Sequence, residues 1–213
     1  MENDLSQIRK EYSQRSLSRE AVLDDPLKQL QQWLDEALRS EAMEPTAMSL
    51  ATVNKQGRPS ARTVLLKEFT EAGVVFYTNY NSRKAQQLTI RPFAALVLFW
   101  PELERQVRLE GRVKKVAPEQ SDRYFLSRPH SSQLGAWVSN QSEVIPGRHY
   151  LEKKMEKISE RFKHHSMYRP PHWGGYQLDP DRVEFWQGRR SRLHDRIEYL
   201  KEAKSWMIRR LAP

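Results

Sequence analysis

The spacing of apolar residues changes character along the chain. From residue 24 to 41 it is helical. Leu27, Leu30, Trp33, Leu34, Ala37 and Leu38 share one face, Asp25 is placed to cap the first turn, and Pro26 suits the first helical position. Burying that face contributes about 1.5–3 kcal/mol per large side chain. Beyond residue 46 short β-type runs take over. "AMSLATVN", "SARTVLLKEF", "VVFYTN", "FAALVLFW" and "ERQVRLEGRVKKV" predict strands, with hairpin turns at "NKQGRP" and "TEAG". Between the third and fourth of these, "SRKAQQLTIRP" predicts a short helix capped by Ser82. "APEQSDRYFLSRP" predicts another, ended by Pro129, and Ser131 and Ser132 read as loop. Leu151, Met155, Ile158 and Phe162 recur at helical spacing, "RPPHWGG" reads as a loop, and "RVEFWQG", "RLHDRIEYL" and "SWMIRRL" predict three closing strands.

Consecutive strands joined by short turns pair antiparallel. About eight of them in one domain favour closure into a barrel, which removes exposed edges. The expected fold class is therefore mainly β with flanking helices. Residues 1–23, polar and charged, predict an N-terminal arm, and residues 24–213 a single domain.

Composition narrows the chemistry. The 213 residues include no cysteine, which excludes disulfides, thiolate nucleophiles and cysteine-type zinc sites. A net charge of +9 points to an anionic partner: nucleic acid, anionic lipid or phosphorylated small molecules. "MENDLSQIRKEY" has no apolar signal core, and the longest apolar run, "FAALVLFW", is far too short to span a membrane. A cytoplasmic protein without membrane attachment is expected.

Several stretches carry candidate chemistry. In "RTVLLK", alternation places Arg62, Val64 and Leu66 on one face and Thr63, Leu65 and Lys67 on the other. The two cations either reach water from the strand ends or bind anions. Arg83 and Lys84 fall in the first turn of a helix, where cations oppose the dipole. A phosphate would resolve that conflict, and an exposed basic turn is the alternative. Tyr124 and Arg128 are one helical turn apart, and Ser132 follows. His194 alternates with Arg192 and Arg196 on a predicted strand. His164, His165 and His172 lack the spacing of a metal site, so no metal is expected.

Taken together, "RTVLLK", "FYTNYNSRKA", "ERQVRLEG", "YFLSRPHSSQLGAWVSNQS", "WGGY" and "VEFWQG…RLHDR" closely resemble the pyridoxine/pyridoxamine 5′-phosphate oxidase family. The resemblance runs from "RKEY" at 9–12 to the terminal "RRLAP". It implies an antiparallel split β-barrel acting as a homodimer, with FMN in clefts between subunits. It also implies oxidation of a small phosphorylated pyridine to pyridoxal 5′-phosphate, with dioxygen as acceptor and hydrogen peroxide as product. The FMN contacts implied are Arg62, Thr63, Val64, Leu65, Leu66, Lys67, Tyr77, Thr78, Arg83, Lys84 and Gln106, with Gln141, Ser142, Trp186 and Arg196 from the partner subunit. The substrate phosphate falls to Lys67, Tyr124, Arg128 and Ser132. Arg192 and His194 face the pyridine ring as the catalytic pair, Leu193 lies between them, and Arg9, Lys10, Glu11 and Tyr12 form a flap. Family members can carry aspartate where this chain has Glu44, which stays outside the implied site.

Two competing readings remain at this level. A flavin-binding split-barrel reductase or phenazine-pathway oxidase shares the FMN residues but usually not the substrate-phosphate set. A nucleic-acid binder would account for the net charge, but here the cations sit inside specific motifs rather than along a stripe.

Overall fold

The computed structural model describes residues 11–203 and 205–213; Arg9 and Lys10 of the expected flap lie outside the described residues. The elements run α1 (Pro26–Arg39), β1 (Ala47–Val53), β2 (Pro59–Leu65), β3 (Glu68–Thr70), β4 (Gly73–Asn79), α2 (Arg83–Ile90), β5 (Phe93–Trp100), β6 (Arg105–Lys115), α3 (Pro118–Ser127), α4 (His130–Val138), α5 (Arg148–Lys163), β7 (Trp173–Gln187), β8 (Asp195–Lys201) and β9 (Trp206–Leu211). The strands hydrogen-bond in the order β2-β1-β5-β6-β7-β4-β3, with β8 on β7 and β9 on β8. The pairs β3–β4, β4–β7, β7–β8 and β8–β9 are antiparallel. No helix among the described residues is long and apolar enough to cross a membrane.

The chain forms two compact units. Of the described residues, one comprises those up to Ser49, Ala95–Glu110 and Pro180–Pro213; the other comprises Leu50–Ala94 and Gly111–Asp179. In the first, α1 starts as its sequence predicts: the Asp25 carboxylate accepts from the amides of Leu27 (2.8 Å) and Lys28 (3.4 Å), with Pro26 next. Leu30, Trp33, Leu34 and Ala37 are buried, and Trp33 meets Phe185 edge-on at 5.0 Å. Leu38, expected on that face, is 52% exposed; Gln29 is buried instead and accepts the Leu23 amide at 2.8 Å.

In the second unit the core is built on Val74, Val75 and Phe76 of β4 with Leu178 of β7. "SARTVLLKEF" is two strands, because Leu66 turns inward (4% exposed) and the Lys67 amide then bonds to the Val75 carbonyl at 2.9 Å. "WGG", expected as loop, opens the 15-residue β7. Its glycines permit close packing: a Cβ on Gly174 would lie 2.1 Å from the Tyr80 hydroxyl, and one on Gly175 2.8 Å from Tyr77. Ser131 and Ser132, also expected as loop, belong to α4. Gln133 explains that helix, since its Nε2 donates to the carbonyls of Phe125, Leu126 and Arg128 (3.0–3.2 Å) and so caps the end of α3.

β8 begins at Asp195, so Arg192 and His194 do not share a strand face with Arg196. They stand in the preceding turn, where Ser191 (φ 55°) and Arg192 (φ 59°) are both left-handed.

Asp25→Ala should lower unfolding stability by about 0.5–2 kcal/mol through loss of the cap, as a fall in urea midpoint without a change in slope.

Candidate functional site

A cleft of about 630 Å³ lies within the second unit. An aromatic column forms part of its wall. Tyr77 from β4 stacks on Tyr124 from α3 (3.9 Å, 19°) and on Trp173 from β7 (5.4 Å, 13°). Tyr77 is fixed from below, because its hydroxyl donates to Glu68, whose other oxygen accepts from Gln120 Nε2 at 2.7 Å. Burial and this bond to Glu68 hold the Tyr77 phenol well above its ordinary range. Arg128, just past α3, lies over Trp173 with its Cζ 4.6 Å from the ring centroid. Its Nη1 is buried without a hydrogen-bond partner. Burial lowers its pKa, partly offset by Tyr124. Lys67 and Ser132 line the same cleft, so the whole expected substrate-phosphate set is brought together.

The expected cofactor set supplies the other part of the wall: Thr63, Val64, Leu65, Thr78, Lys84 and Gln141. Lys84 Nζ donates to Gln141 Oε1 (2.7 Å) and Thr78 Oγ1 (3.1 Å). Its pKa is pushed down to about 8, by burial first and then by Arg62. Arg62 does not line the cleft; it donates to the Leu50 carbonyl (3.1 Å), Thr52 Oγ1 (2.6 Å) and Ser60 Oγ (2.8 Å). Burial, then Arg83, lowers its pKa too. Among the described residues, Arg62, Lys67, Arg83, Lys84 and Arg128 enter no ion pair.

The structure adds detail to two expectations. Gln141 and Ser142, implied as the partner subunit's contribution, stand beside Lys84 and Arg83 of their own chain. Ser142 Oγ accepts the Arg83 amide at 3.2 Å, and Asn79 Nδ2 anchors this turn through the Ser139 carbonyl at 3.1 Å. The Leu66 side chain is in the core, which leaves only its main chain for a ligand. The sequence reading missed Glu68 and Gln120, which position Tyr77 by contacts that no local pattern signals. Trp173 was visible only as part of a motif.

The remaining expected residues belong to the first unit. Trp186 at the end of β7 packs against His194 (4.6 Å, 45°), and Tyr12 stands edge-on to both. The Arg189 amide donates to His194 Nδ1 at 3.1 Å. Burial, then Arg192, lowers the His194 pKa, with Asp195 opposing. Arg196 is paired with Glu184 through Nε (2.8 Å) and Nη2 (3.0 Å) and donates to the Ala212 carbonyl. Gln106 is half-buried on β6, while Glu11, Arg192 and Leu193 are exposed.

Residues 34–162 match the family model described as pyridoxamine 5′-phosphate oxidase, and residues 173–213 that of the pyridoxine 5′-phosphate oxidase C-terminal dimerisation region. The chain belongs to the pyridoxamine 5′-phosphate oxidase family. Curated relatives named pyridoxine/pyridoxamine 5′-phosphate oxidase include those of Mannheimia succiniciproducens (55% identical, 99% of each chain covered) and Neisseria gonorrhoeae (54% identical, 99% of this chain and all of that one). Among solved structures, PhzG from Burkholderia lata in complex with tetrahydrophenazine-1-carboxylic acid superposes with a TM-score of 0.88 at 28% identity, over 94% of this chain and all of that one. A Nostoc punctiforme protein described as pyridoxamine 5′-phosphate oxidase-related and FMN-binding shares the fold, with a TM-score of 0.71 at 19% identity over 89% of this chain and 98% of that one. Both the resemblance read from the six motifs and the mainly β split-barrel fold class are borne out.

The donor set fits phosphorylated ligands of this family: a buried lysine and half-buried guanidiniums without carboxylate partners, one carrying an orphaned N–H. Between pH about 8 and 10.5 an unfolded Lys84 keeps its proton while the folded one has lost it. Unfolding then takes up a proton, so this residue's contribution makes the ligand-free fold more stable as pH rises through that window. Lys84→Met should remove that slope. In paired urea titrations, wild type should gain on the variant between pH 8 and 10.5.

Proposed function

We propose that the chain is an FMN-dependent oxidase that converts pyridoxine and pyridoxamine 5′-phosphates to pyridoxal 5′-phosphate, acting as a cytoplasmic homodimer. Arg128 carries this reading: a half-buried guanidinium whose Nη1 is buried and unpartnered, set among Lys67, Tyr124 and Ser132, suits a phosphate monoester. That cradle favours a phosphorylated substrate over a phenazine acid. The homodimer rests on the match to the dimerisation region.

When bound, FMN would supply two-electron oxidation chemistry at the substrate C4′, with dioxygen as the final acceptor and hydrogen peroxide as the product. The chain's own residues bind and orient. Lys84, with Arg62 and Arg83 nearby, would hold the cofactor phosphate, assisted by Thr78, Gln141 and Ser142. The main chain and side chains of Thr63, Val64 and Leu65, with Tyr77, would border the flavin. Gln106 would add to that set, and Trp186 and Arg196 would complete the site from the partner subunit. Lys67, Tyr124, Arg128 and Ser132 would fix the substrate phosphate and so place C4′. Arg192 and His194 would face the pyridine ring. Because His194 Nδ1 accepts the Arg189 N–H, the neutral imidazole carries its proton on Nε2 and presents a donor there. His194 therefore orients a ring substituent rather than serving as a base through Nδ1.

Purified protein should be yellow and release peroxide in air with either phosphate. Arg128→Ala should lower kcat/KM about ten- to a hundredfold, equivalent to about 1.5–3 kcal/mol, with flavin content near wild type. Flavin loss with unchanged substrate kinetics would reverse the assignment of the two phosphate subsites.

A further inference from the structure

We propose that Glu104 is a positioning residue that latches the N-terminal arm, seating Tyr12 against Gly188 beside Trp186 and His194. Glu104 is buried (3% exposed), yet among the described residues it enters no ion pair. A buried carboxylate without a cation depends on hydrogen bonds for its charge. One oxygen of Glu104, Oε2, accepts the main-chain amides of Ser13 (2.8 Å) and Gln14 (3.1 Å), the residues directly after Tyr12. Its carbonyl accepts the Gly188 amide (2.8 Å) and Gln187 Nε2 (3.2 Å). One residue thus grips the arm with its side chain and the end of β7 with its main chain. It does so at φ 55°, a left-handed conformation that is strained for glutamate and that persists where surrounding structure enforces it.

Gly188 completes the arrangement. A Cβ there would lie 2.7 Å from both Cβ and Cγ of Tyr12, so the ring rests on the glycine itself. Farther along, the arm is held elsewhere: the Arg15 carbonyl by Arg189, and Leu17 by Asp195 and Arg210. Glu104 supplies the main-chain anchor next to Tyr12. Its consequence for catalysis rests on the reading that Tyr12 and His194 border the substrate ring.

The test uses full-length holoenzyme and two readouts: the rate of tryptic cleavage after Arg15, and steady-state kinetics with pyridoxine 5′-phosphate at measured flavin content. Glu104→Ala should speed cleavage and raise KM, each on the order of tenfold, with kcat within about twofold and flavin unchanged. Glu104→Gln keeps an acceptor oxygen and should restore most of both. Gly188→Ala displaces Tyr12 but leaves the carboxylate bonds, so KM should rise without faster cleavage. Wild-type cleavage in Glu104→Ala would overturn the latch, and faster cleavage with an unchanged KM would overturn its role in substrate binding. If wild type oxidises neither phosphate, the functional reading falls instead, and the cleavage rates alone decide the latch.

Discussion

Positive charge that the chain does not neutralise governs the cleft. Elsewhere the protein pairs its buried or half-buried guanidiniums: Arg105 with Glu36, Arg169 with Asp122, Arg196 with Glu184. At the cleft and just behind it, the chain supplies only carbonyls, hydroxyls and amides, as with Lys84 in the wall and Arg62 behind it, or an aromatic face, as with Arg128. Such an arrangement stabilises an incoming dianion more than it stabilises the empty fold. The depressed Lys84 pKa is the local expression of that imbalance.

The uncharged parts keep these cations in register. Stacking of Tyr77, Tyr124 and Trp173 ties β4, α3 and β7 together, and the Glu68 carboxylate links Tyr77 to Gln120 on α3. Arg128 directly follows α3, so the placement of its guanidinium depends on that helix. Gln133 adds a second constraint by closing the carbonyls at the same helix end. The carboxylate nearest the phosphate cradle in this network is thus spent on a tyrosine and an amide.

Local sequence carried much of the fold. The cap and apolar face of α1, the Ser82 cap of α2 and the hairpin at "TEAG" all depend on neighbours a few residues away. It failed where a distant residue decides. Gly174 and Gly175 read as loop until Tyr80 and Tyr77 are known to press on them, and α4 depends on Gln133 reaching back to α3. The residues proposed to hold phosphate were legible because cations and hydroxyls within strong motifs announce their chemistry. Glu68 and Glu104 were not, since each acts through partners whose identity only the folded chain reveals; Glu104 and Ser13 are 91 residues apart.

The turn before β8 holds two consecutive residues, Ser191 and Arg192, in the left-handed region. Each such residue costs on the order of 1–3 kcal/mol, which glycine would largely avoid. The two positions differ in what glycine would remove: a hydroxymethyl group at 191, and at 192 the guanidinium proposed above to face the substrate ring. In laboratory evolution toward heat resistance, relief of backbone strain is therefore open at 191 and closed at 192. One side of this turn is free to drift, while the other is held by the chemistry it presents.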